Sequence, residues 1–430
     1  MFWDRESETL ERPELEQLQL QRLKATVGRV AERVPFYQRK FAELGLRPEQ
    51  IKSLADIKHL PFTASADLRA TYPDGLLAVS HDEPIRLHTS SGTTGKPKAL
   101  FFSRQDVENA AELVARSLVA AGLTARDVFQ NMMSYGLFTG GLGMHYGAEK
   151  VGCLVIPAGP GPSERQLMLM QDFRTTAVHI LPSYALYFAN FLEQKGLDPR
   201  RDLCLRKAFV GAEPHTEETR RRIEQAFNVD VYNSYGLTEL NGPGVAFECE
   251  QKAGMHLWED QFLMEIINPD TGELLPEGDT GELVLTSLRR QAMPLLRYRT
   301  RDITSVVAEP CACGRTHRRI SRITGRSDDM LIIRGVNIFP QQIEQVLMSK
   351  PQIGRNYLIV IEGLDDLTVK AELAAAEFDG QVEHLTALRQ ELVEKIRSEI
   401  WVKPRVELVP AGSLPVNEGK ARRVIDKRSL

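Results

Sequence analysis

Apolar residues near the start of the chain recur every three or four positions, which is the spacing of one face of an α-helix. The residues in this series are Leu20, Leu23, Val27, Val30 and Val34, and Pro35 follows them directly. Proline has no amide hydrogen to donate inside a helix. The pattern therefore predicts an amphipathic helix that buries its apolar stripe and ends at Pro35.

Between residues 85 and 234, short apolar runs alternate with segments of helical periodicity. The apolar runs predict strands at 85–87, 151–156, 177–181, 205–210 and 231–234. The periodic segments predict one helix that Asp106 caps and that ends near Gly122, and further helices at 164–173, 184–195 and 216–227. Repeated strand–helix units indicate an α/β fold with a doubly wound parallel sheet, whose ligands bind at the carboxyl ends of the strands.

The pattern changes after Trp258 to short strands separated by Gly-rich turns, which predicts a β-rich subdomain at about 244–325. Beyond it, a helix from Gln341, strands at 357–361 and 367–373, a helix through Leu385 to Ile396 and a strand at 405–409 suggest a compact α+β unit. We therefore expect a large N-terminal domain, residues 1–327, and a small C-terminal domain, residues 328–430.

Composition narrows the class of protein. The chain has 430 residues, of which 42% are hydrophobic and 26% charged, as in ordinary globular proteins of several domains. A net charge of −4 and only short arginine runs argue against a nucleic-acid surface. Apolar runs stay below the roughly 20 residues that span a bilayer, and the first residues lack a signal peptide's apolar segment. We expect a cytoplasmic protein without nucleic-acid or membrane partners, with a homodimer as one option.

A turn rich in hydroxyls, glycines and lysines follows the strand predicted at 85–87. Its residues are Ser90, Ser91, Gly92, Thr93, Thr94, Gly95, Lys96, Pro97 and Lys98. Glycines allow successive N–H groups to point at phosphoryl oxygens, and the lysines add positive charge. It is not the P-loop of kinases, because only two residues separate the glycines and Pro97 replaces the magnesium-binding hydroxyl. Pro97 also keeps the turn from running straight into a helix. The alternative is a solvated loop between two strands.

Five motifs occur along the chain in a fixed order. They are Ser90-Ser-Gly-Thr-Thr-Gly-Lys-Pro-Lys98, Tyr235-Gly-Leu-Thr-Glu239, Tyr298-Arg-Thr-Arg-Asp302, Gly325-Arg-Ser-Asp-Asp329 and Glu418-Gly-Lys420. Together they resemble the core motifs of acyl-adenylate-forming ligases, over nearly the whole chain. Within that superfamily, the segments Tyr135–Gly143 and Gly325–Pro340 are similar to the phenylacetate-coenzyme A ligase family. The resemblance implies that a carboxylic acid reacts with ATP to give an acyl-adenylate, from which the thiol of coenzyme A displaces AMP.

The resemblance also implies where the nucleotide and its magnesium ion bind. The hydroxyl-rich turn would hold the phosphates, Glu239 would bind Mg²⁺ with help from Thr238, and Asp302 would accept the ribose hydroxyls. The residues implied on the adenine side are Gly211, Ala212, Glu213, Pro214, Tyr235 and Gly236. The alternatives are a backbone cap for Glu239 and a salt bridge from Asp302 to Arg299 or Arg301.

Residues implied for catalysis and for the acyl group follow from the same resemblance. Lys420 would hold the carboxylate and α-phosphate, Arg326 would contact the nucleotide, Asp328 would be the hinge of the small domain, and Gly335 would line the coenzyme A tunnel. The residues expected around an aryl acid are Tyr135, Phe138, Gly140, Ala212, Gly236 and Pro243. Lys98–Phe102 and Asn233–Ser234 depart from the family pattern, so the identity of the acid is left open.

Three of the five cysteines suggest a second, structural metal. Cys249, His256, Cys311 and Cys313 supply three thiolates and one imidazole, a closed tetrahedral set for zinc. His317 is a competing fourth ligand, and a reduced cysteine pair without metal is the alternative. We expect Cys153 and Cys204 to be small buried residues of apolar strands.

Two other functions are weighed against a coenzyme A ligase. One is an adenylating enzyme that loads the acid onto the thiol of a carrier protein. The other is a nucleotide-binding zinc protein without catalysis, against which Lys420 argues, because a sensor has no need of a lysine on a separate domain.

Overall fold

The computed structural model describes residues 1–89, 97–334, 336–362, 366–374, 381–415 and 423–428. Elements within these ranges are of mixed α/β type, as the sequence predicted. None of the helices there combines the length and the apolar character that crossing a bilayer requires.

The α-helices are α1 Arg5–Glu8, α2 Arg12–Arg33, α3 Pro35–Leu44, α4 Ser65–Ala70, α5 Arg104–Ala120, α6 Thr139–Val151, α7 Ser163–Asp172, α8 Pro182–Gln194, α9 Pro199–Asp202, α10 Glu217–Phe227, α11 Pro340–Met348 and α12 Val382–Ile400. Short 3-10 helices lie at Pro48–Gln50, Leu54–His59 and Thr238–Leu240.

The strands are β1 Pro84–Thr89, β2 Ala99–Ser103, β3 Val128–Asn131, β4 Leu154–Ile156, β5 Ala177–Ile180, β6 Lys207–Gly211, β7 Asp230–Leu237, β8 Gly242–Glu248, β9 Met255–Leu257, β10 Phe262–Ile267, β11 Gly281–Ser287, β12 Tyr298–Thr304, β13 Val306–Val307, β14 Arg319–Ile320, β15 Gly325–Arg326, β16 Leu331–Ile333, β17 Val336–Ile338, β18 Ile353–Glu362, β19 Asp366–Leu373, β20 Arg405–Val409 and β21 Val424–Asp426.

The chain forms two compact units. The first contains Met1–His179 and Tyr232–Arg322, and the second contains Ile180–Val231 and Ile323–Leu430. These units group the chain differently from the division at residues 327 and 328 that the sequence suggests, and that division stays a prediction.

Helix α2 in the first unit shows how the apolar pattern determines burial. Leu23, Val27, Val30 and Val34 have no exposed surface, as the spacing predicted, whereas Leu20 is only partly buried. Pro35 does end this helix, and it is also the first residue of α3, a position where its missing amide hydrogen costs nothing.

The sheets of the first unit are both parallel and antiparallel. Strand β3 pairs in parallel with β4 and β5, which is the arrangement that the strand–helix repeats predicted. Strands β7, β8, β9, β14 and β13 pair antiparallel in that order, and so do β10, β11 and β12. Strands β1 and β2 form a separate antiparallel pair. The hydroxyl-rich turn therefore lies between two strands of a hairpin, and the expectation that it ends a strand of a parallel sheet is wrong.

Several predicted boundaries are also wrong. Helix α5 begins after Ser103, whose hydroxyl accepts from the amide of Asp106, so Ser103 and not Asp106 is the N-cap. Residue 151 ends helix α6, and the strand predicted at 151–156 starts only at Leu154 because Gly152, at φ +96°, terminates the helix. Cys153 and Cys204 lie outside the strands, and Cys204 is only partly buried.

The C-terminal part of the second unit is a small α+β fold. Strand β18 pairs antiparallel with β19 and in parallel with β21, and β19 pairs in parallel with β20. Helices α11 and α12 contribute Ile343, Leu347, Leu392 and Ile396, all fully buried, to the core beneath this sheet. These elements match those predicted at 341–409.

Helices α8 and α10 belong to the same unit. Arg222 of α10 donates to the backbone carbonyls of Met348, Lys350 and Ile353. Glu344 of α11 accepts from Thr219 at 2.5 Å and from Tyr357 at 2.8 Å. Segments more than a hundred residues apart in the chain are therefore held together by buried polar contacts.

Candidate active site

Glu239 lies in the short 3-10 helix that connects β7 to β8, and its side chain is almost completely buried. Its Oε1 accepts from the ammonium of Lys98 and from the hydroxyl of Tyr298, the latter at 3.0 Å. Burial alone would raise the pKa of Glu239, but Lys98 and Tyr298 stabilise the carboxylate more strongly, so its pKa lies below the usual value. Glu239 is therefore a buried anion with a cation beside it, and a hydrogen bond to its own backbone also lowers its pKa.

Asp302 lies on β12, the strand that also carries Tyr298. Its Oδ2 accepts from the hydroxyl of Tyr235 at 2.6 Å, so the ends of two separate motifs meet. The neighbouring side chains Arg299 and Arg301 pair with the fully buried Glu282, at 2.6 and 3.4 Å. Both arginines thus have a carboxylate partner other than Asp302.

A buried arginine lies close to Glu239 in the first unit. Arg290 donates to Asn241 Oδ1 at 2.9 Å and lies 4.0 Å from the ring centre of Phe102. Burial lowers the pKa of Arg290 to about 10, so the guanidinium remains charged at neutral pH. Thr238, the predicted partner of Glu239, has its hydroxyl 3.3 Å from that of Thr139.

Of the residues expected around the acyl group, Tyr135, Phe138 and Gly140 lie just before or at the start of helix α6, and Gly236 and Pro243 lie on strands β7 and β8. The hydroxyl of Tyr135 lies 3.2 Å from His145 Nδ1, and Phe138 is 43% exposed. A Cβ atom added to Gly236 would lie 2.7 Å from Pro243 Cα, so these two residues are in close contact. Gly140 has open space around it.

The other described candidates lie in the second unit. Gly211 ends β6, Ala212 follows in the left-handed conformation at φ +64°, and Glu213 accepts from the amide and hydroxyl of Ser183. Pro214 comes next. Arg326 pairs with Asp328 at 2.9 Å, so the residue implied at the nucleotide and the one implied at the hinge are ion-paired.

The remaining candidates lie outside the described residues. They are Ser90, Ser91, Gly92, Thr93, Thr94, Gly95, Lys96, Gly335 and Lys420. Pro97 is expected to prevent the turn from continuing as a helix. The residues after it agree with this expectation, because strand β2 begins at Ala99.

Sequence profiles identify the family. The profile of the AMP-binding enzyme family matches residues 18–290, and that of the AMP-binding enzyme C-terminal domain matches residues 335–428. The chain belongs to the AMP-binding enzyme family. The predicted resemblance to adenylate-forming ligases is thereby confirmed.

Relatives of this AMP-binding enzyme match it over its full length. A phenylacetate-coenzyme A ligase of Thermus thermophilus is 47% identical and covers 100% of both chains. The phenylacetate-coenzyme A ligase of Escherichia coli is 42% identical over 98% of this chain and 97% of its own. A crystal structure of 2-hydroxyisobutyryl-CoA ligase in the postadenylation state has a TM-score of 0.93 at 30% identity, covering 100% of this chain and 93% of that one.

A second cluster of polar side chains in this AMP-binding enzyme contains four possible metal ligands, Cys249, His256, Cys311 and Cys313. One ligand atom from each lies within 4.8 Å of the others. His256 Nδ1 is 3.1 Å from the carbonyl of His317, so its Nε2 faces the sulfur of Cys313 at 3.3 Å. His317 uses both ring nitrogens on backbone groups of Glu259 and Ser7 and does not join the cluster.

Sequence reasoning missed two contacts of Glu239. The sequence motifs predict that Lys98 contacts the phosphates, but they predict no contact of Lys98 or Tyr298 with Glu239. A signal for Tyr298 was present, since side chains two and four residues apart on a strand share a face, and Asp302 is four residues further on. Burial alternates accordingly, with Tyr298, Thr300 and Asp302 buried and Arg299 and Arg301 partly exposed.

Proposed function

We propose that this chain is an ATP-dependent, AMP-forming ligase that adenylates an aryl carboxylic acid and transfers the acyl group to coenzyme A. The observation that carries the proposal is the full-length similarity to phenylacetate-coenzyme A ligases, at 42–47% identity. The convergence of Tyr235, Asp302, Glu239 and Tyr298 within one unit supports it. Phenylacetate or a related aryl acid is the expected substrate.

The main obstacle to the first half-reaction is negative charge, because a carboxylate must approach the α-phosphorus of a triphosphate. Glu239 fits magnesium, since it is a hard oxygen ligand that already attracts a cation. Bound there with Thr238, Mg²⁺ would neutralise phosphoryl oxygens. Asp302 would accept the ribose hydroxyls, while Tyr235 and the segment Gly211–Pro214 would hold the base.

The remaining negative charge of the phosphates would be stabilised by groups of the hydroxyl-rich turn and of the C-terminal segment. Backbone amides of Ser90–Lys96 would donate to the phosphates, and Arg326 would contact the nucleotide. Lys420 would bridge the acid and the α-phosphate. For the second half-reaction, rotation of the small domain about Asp328 would replace Lys420 and bring Gly335 to the pantetheine arm.

Pyrophosphate exchange with a panel of acids tests this function. We expect ATP-dependent exchange with phenylacetate or a hydroxylated aryl acid, and thioester only when coenzyme A is added. Exchange without thioester would favour the carrier-protein alternative. Absence of exchange with every acid, in a protein that binds ATP, would contradict the adenylating function.

Lys420→Ala tests the assigned role of the lysine. The substitution removes a charge that acts only on the reacting groups, so we expect exchange to fall by at least about 100-fold, while ATP binding measured by calorimetry is unchanged. Arg428→Ala is the matched control, because Arg428 is a nearby cation of the same segment paired to Asp426. Unaltered exchange in Lys420→Ala would contradict the role.

We further propose that Cys249, His256, Cys311 and Cys313 hold a structural zinc ion. Three thiolates and an imidazole complete a tetrahedral set without an open position. The carbonyl of His317 orients the imidazole in the manner of other metal-bound histidines. Strand β8 separates Cys249 from the Glu239 turn by seven residues, roughly 23 Å of strand. Zinc would therefore support the fold and take no part in the chemistry.

Metal analysis decides the zinc proposal. We expect one zinc per chain in the purified protein and its loss in Cys313→Ser, with a lower Tm but a nearly unchanged exchange rate per folded molecule. Cys204→Ser is the control, because Cys204 lies outside the cluster. Protein purified without chelator that contains no zinc would refute this proposal and leave the ligase function intact.

A further inference from the structure

The carboxylate of Glu239 is shared by an ammonium and a hydroxyl in a nearly dry environment. The side chain of Lys98 is 12% exposed and that of Glu239 is 8% exposed. Both Lys98 Nζ and Tyr298 Oη donate to the same oxygen, Oε1. Lys98 begins the return from the hydroxyl-rich turn, directly before strand β2.

A magnesium ion cannot join this arrangement unchanged. Magnesium lies about 2.1 Å from its oxygen ligands, so a metal on Glu239 would stand within a few ångströms of the ammonium. Two positive groups at that separation in a poorly hydrated site repel each other strongly. Burial also means that Glu239 without any cation would be an uncompensated charge. The carboxylate therefore requires one cation and excludes a second.

We propose that Lys98 is an internal counter-ion, which holds the magnesium position on Glu239 in the nucleotide-free protein and turns to the phosphoryl oxygens when the metal arrives with ATP. This inference rests on the proposed adenylating function. It gives Lys98 a positioning role in addition to its place in the phosphate-binding turn. It also makes metal binding depend on the nucleotide, because the triphosphate offers the ammonium an anionic partner in place of Glu239.

Binding of Mn²⁺ to the nucleotide-free protein provides the test, because Mn²⁺ accepts the same oxygen ligands as magnesium and its free form is counted by electron paramagnetic resonance. We expect no saturable binding at Glu239 in the natural protein at millimolar Mn²⁺. Lys98→Met removes the counter-ion and should bind one Mn²⁺ at least tenfold more tightly. Lys98→Arg keeps a cation there and should bind none.

Further variants separate this site from others. The double variant Lys98→Met with Glu239→Gln should lose the gained Mn²⁺ site, which excludes binding at the cysteine cluster. Thermal unfolding checks that each variant is folded, and Lys98→Gln replaces Lys98→Met should the latter unfold. Mn²⁺ affinity that is the same with lysine, methionine and glutamine at position 98 would overturn the counter-ion role.

Pyrophosphate exchange by the natural protein keeps the two proposals apart. Exchange together with unchanged Mn²⁺ affinity in the variants refutes the counter-ion role only. Absence of exchange refutes the adenylating function, whatever the Mn²⁺ titrations show.

Discussion

The residues proposed to bind the nucleotide are positioned by the face of the strand on which they lie. On β12, Tyr298 and Asp302 point to the buried side, where they contact Glu239 and Tyr235. The same alternation that buries an apolar core here places two polar side chains next to one another. Their partners come from a different motif, so two sequence motifs form one polar cluster.

Asp302→Asn tests the ribose contact. Asparagine has no charge and only one acceptor oxygen where the carboxylate has two. Bonds to charged groups contribute about 1.5–3 kcal/mol, so we expect KM for ATP to rise roughly 10- to 100-fold. KM for the acid should change little. Steady-state pyrophosphate exchange at varied ATP gives the first constant, and at varied acid the second.

Tyr235→Phe is the control for Asp302→Asn. It removes the hydroxyl that donates to Asp302 and keeps both the carboxylate and the aromatic ring. We expect less than a tenfold change in KM for ATP. An unchanged KM in Asp302→Asn would contradict the role assigned to this carboxylate.

The sequence motifs single out Glu239 and Asp302, but they do not predict which side chains contact them. Glu239 and Asp302 stand in motifs whose order along the chain is informative. The contact between Lys98 and Glu239 joins residues 141 positions apart, and no local pattern encodes such a distance.

Helix α5 shows how an element depends on contacts beyond its own turn. Asp106 accepts from the amide of Ser103 in a capping box, and also from the amides of Gln291 and Ala292 at 2.7 and 2.9 Å. It therefore fixes the start of the helix to the loop before β12. The sequence signalled an acidic residue at the helix start, but Ser103 is the N-cap and Asp106 the third helical residue.

Asp106→Ala should destabilise the protein more than Ser103→Ala. Loss of the N-cap hydroxyl costs about 1 kcal/mol. Loss of Asp106 leaves three backbone amides without their acceptor in a buried site, which costs about 3 kcal/mol or more. Urea unfolding of both variants measures the difference. Equal midpoints would show that the bonds to Gln291 and Ala292 contribute nothing.

Glycines made helix α6 hard to predict. Four glycines fall within Thr139–Val151, a composition that disfavours a helix. A Cβ added at Gly147 would lie 2.2 Å from Val114 Cγ1, so glycine permits close packing on α5. Tertiary packing outweighs helix propensity here, and Val151, the first residue of the predicted strand 151–156, is instead the last residue of the helix.

Across the first unit, the N-terminal segment is bound to the loop that carries two of the cluster cysteines. Arg315 pairs with Glu8 at 2.6 Å with both side chains fully buried, and Thr316 donates its hydroxyl to the carbonyl of Leu10. Arg12 pairs with the buried Glu259, which also accepts from Arg318. The first twelve residues are thus part of the folded unit.

Glu259→Gln should reduce stability in a pH-dependent manner. Burial would raise the pKa of Glu259, but Arg12 and Arg318 lower it to about 2 from 4.5. A folded-state pKa below the unfolded-state value stabilises the protein above pH 4.5 and loses that contribution as pH falls towards 2. We expect a cost of at most about 3 kcal/mol at pH 7, since both arginines are partly solvated.

Urea unfolding of the natural protein and Glu259→Gln at several pH values gives the difference in free energy of unfolding. The difference should be constant between pH 7 and 5 and shrink below pH 4.5. A difference that stays constant to pH 3.5 would contradict the lowered pKa.

The division of the chain into compact units could be predicted from the sequence only in part. The described elements between residues 258 and 338 are all strands, in agreement with the change in pattern after residue 258, whereas the domain boundary near residue 325 stays a prediction. The grouping of Ile180–Val231 with Ile323–Leu430 depends on contacts such as those of Arg222, which bond to carbonyls 126 or more residues away. Such contacts leave no trace in composition or periodicity.

Glu282 has a consequence for how natural variants of this enzyme should be interpreted. Its buried carboxylate pairs with both Arg299 and Arg301, which lie on the face of β12 opposite to Asp302. A substitution at Glu282 would leave two guanidinium groups without this carboxylate and disturb the strand that carries Asp302, and kinetic data would then resemble damage to the proposed ribose contact although Asp302 itself is intact. Sequence surveys that score only ligand-contacting positions would overlook this dependence.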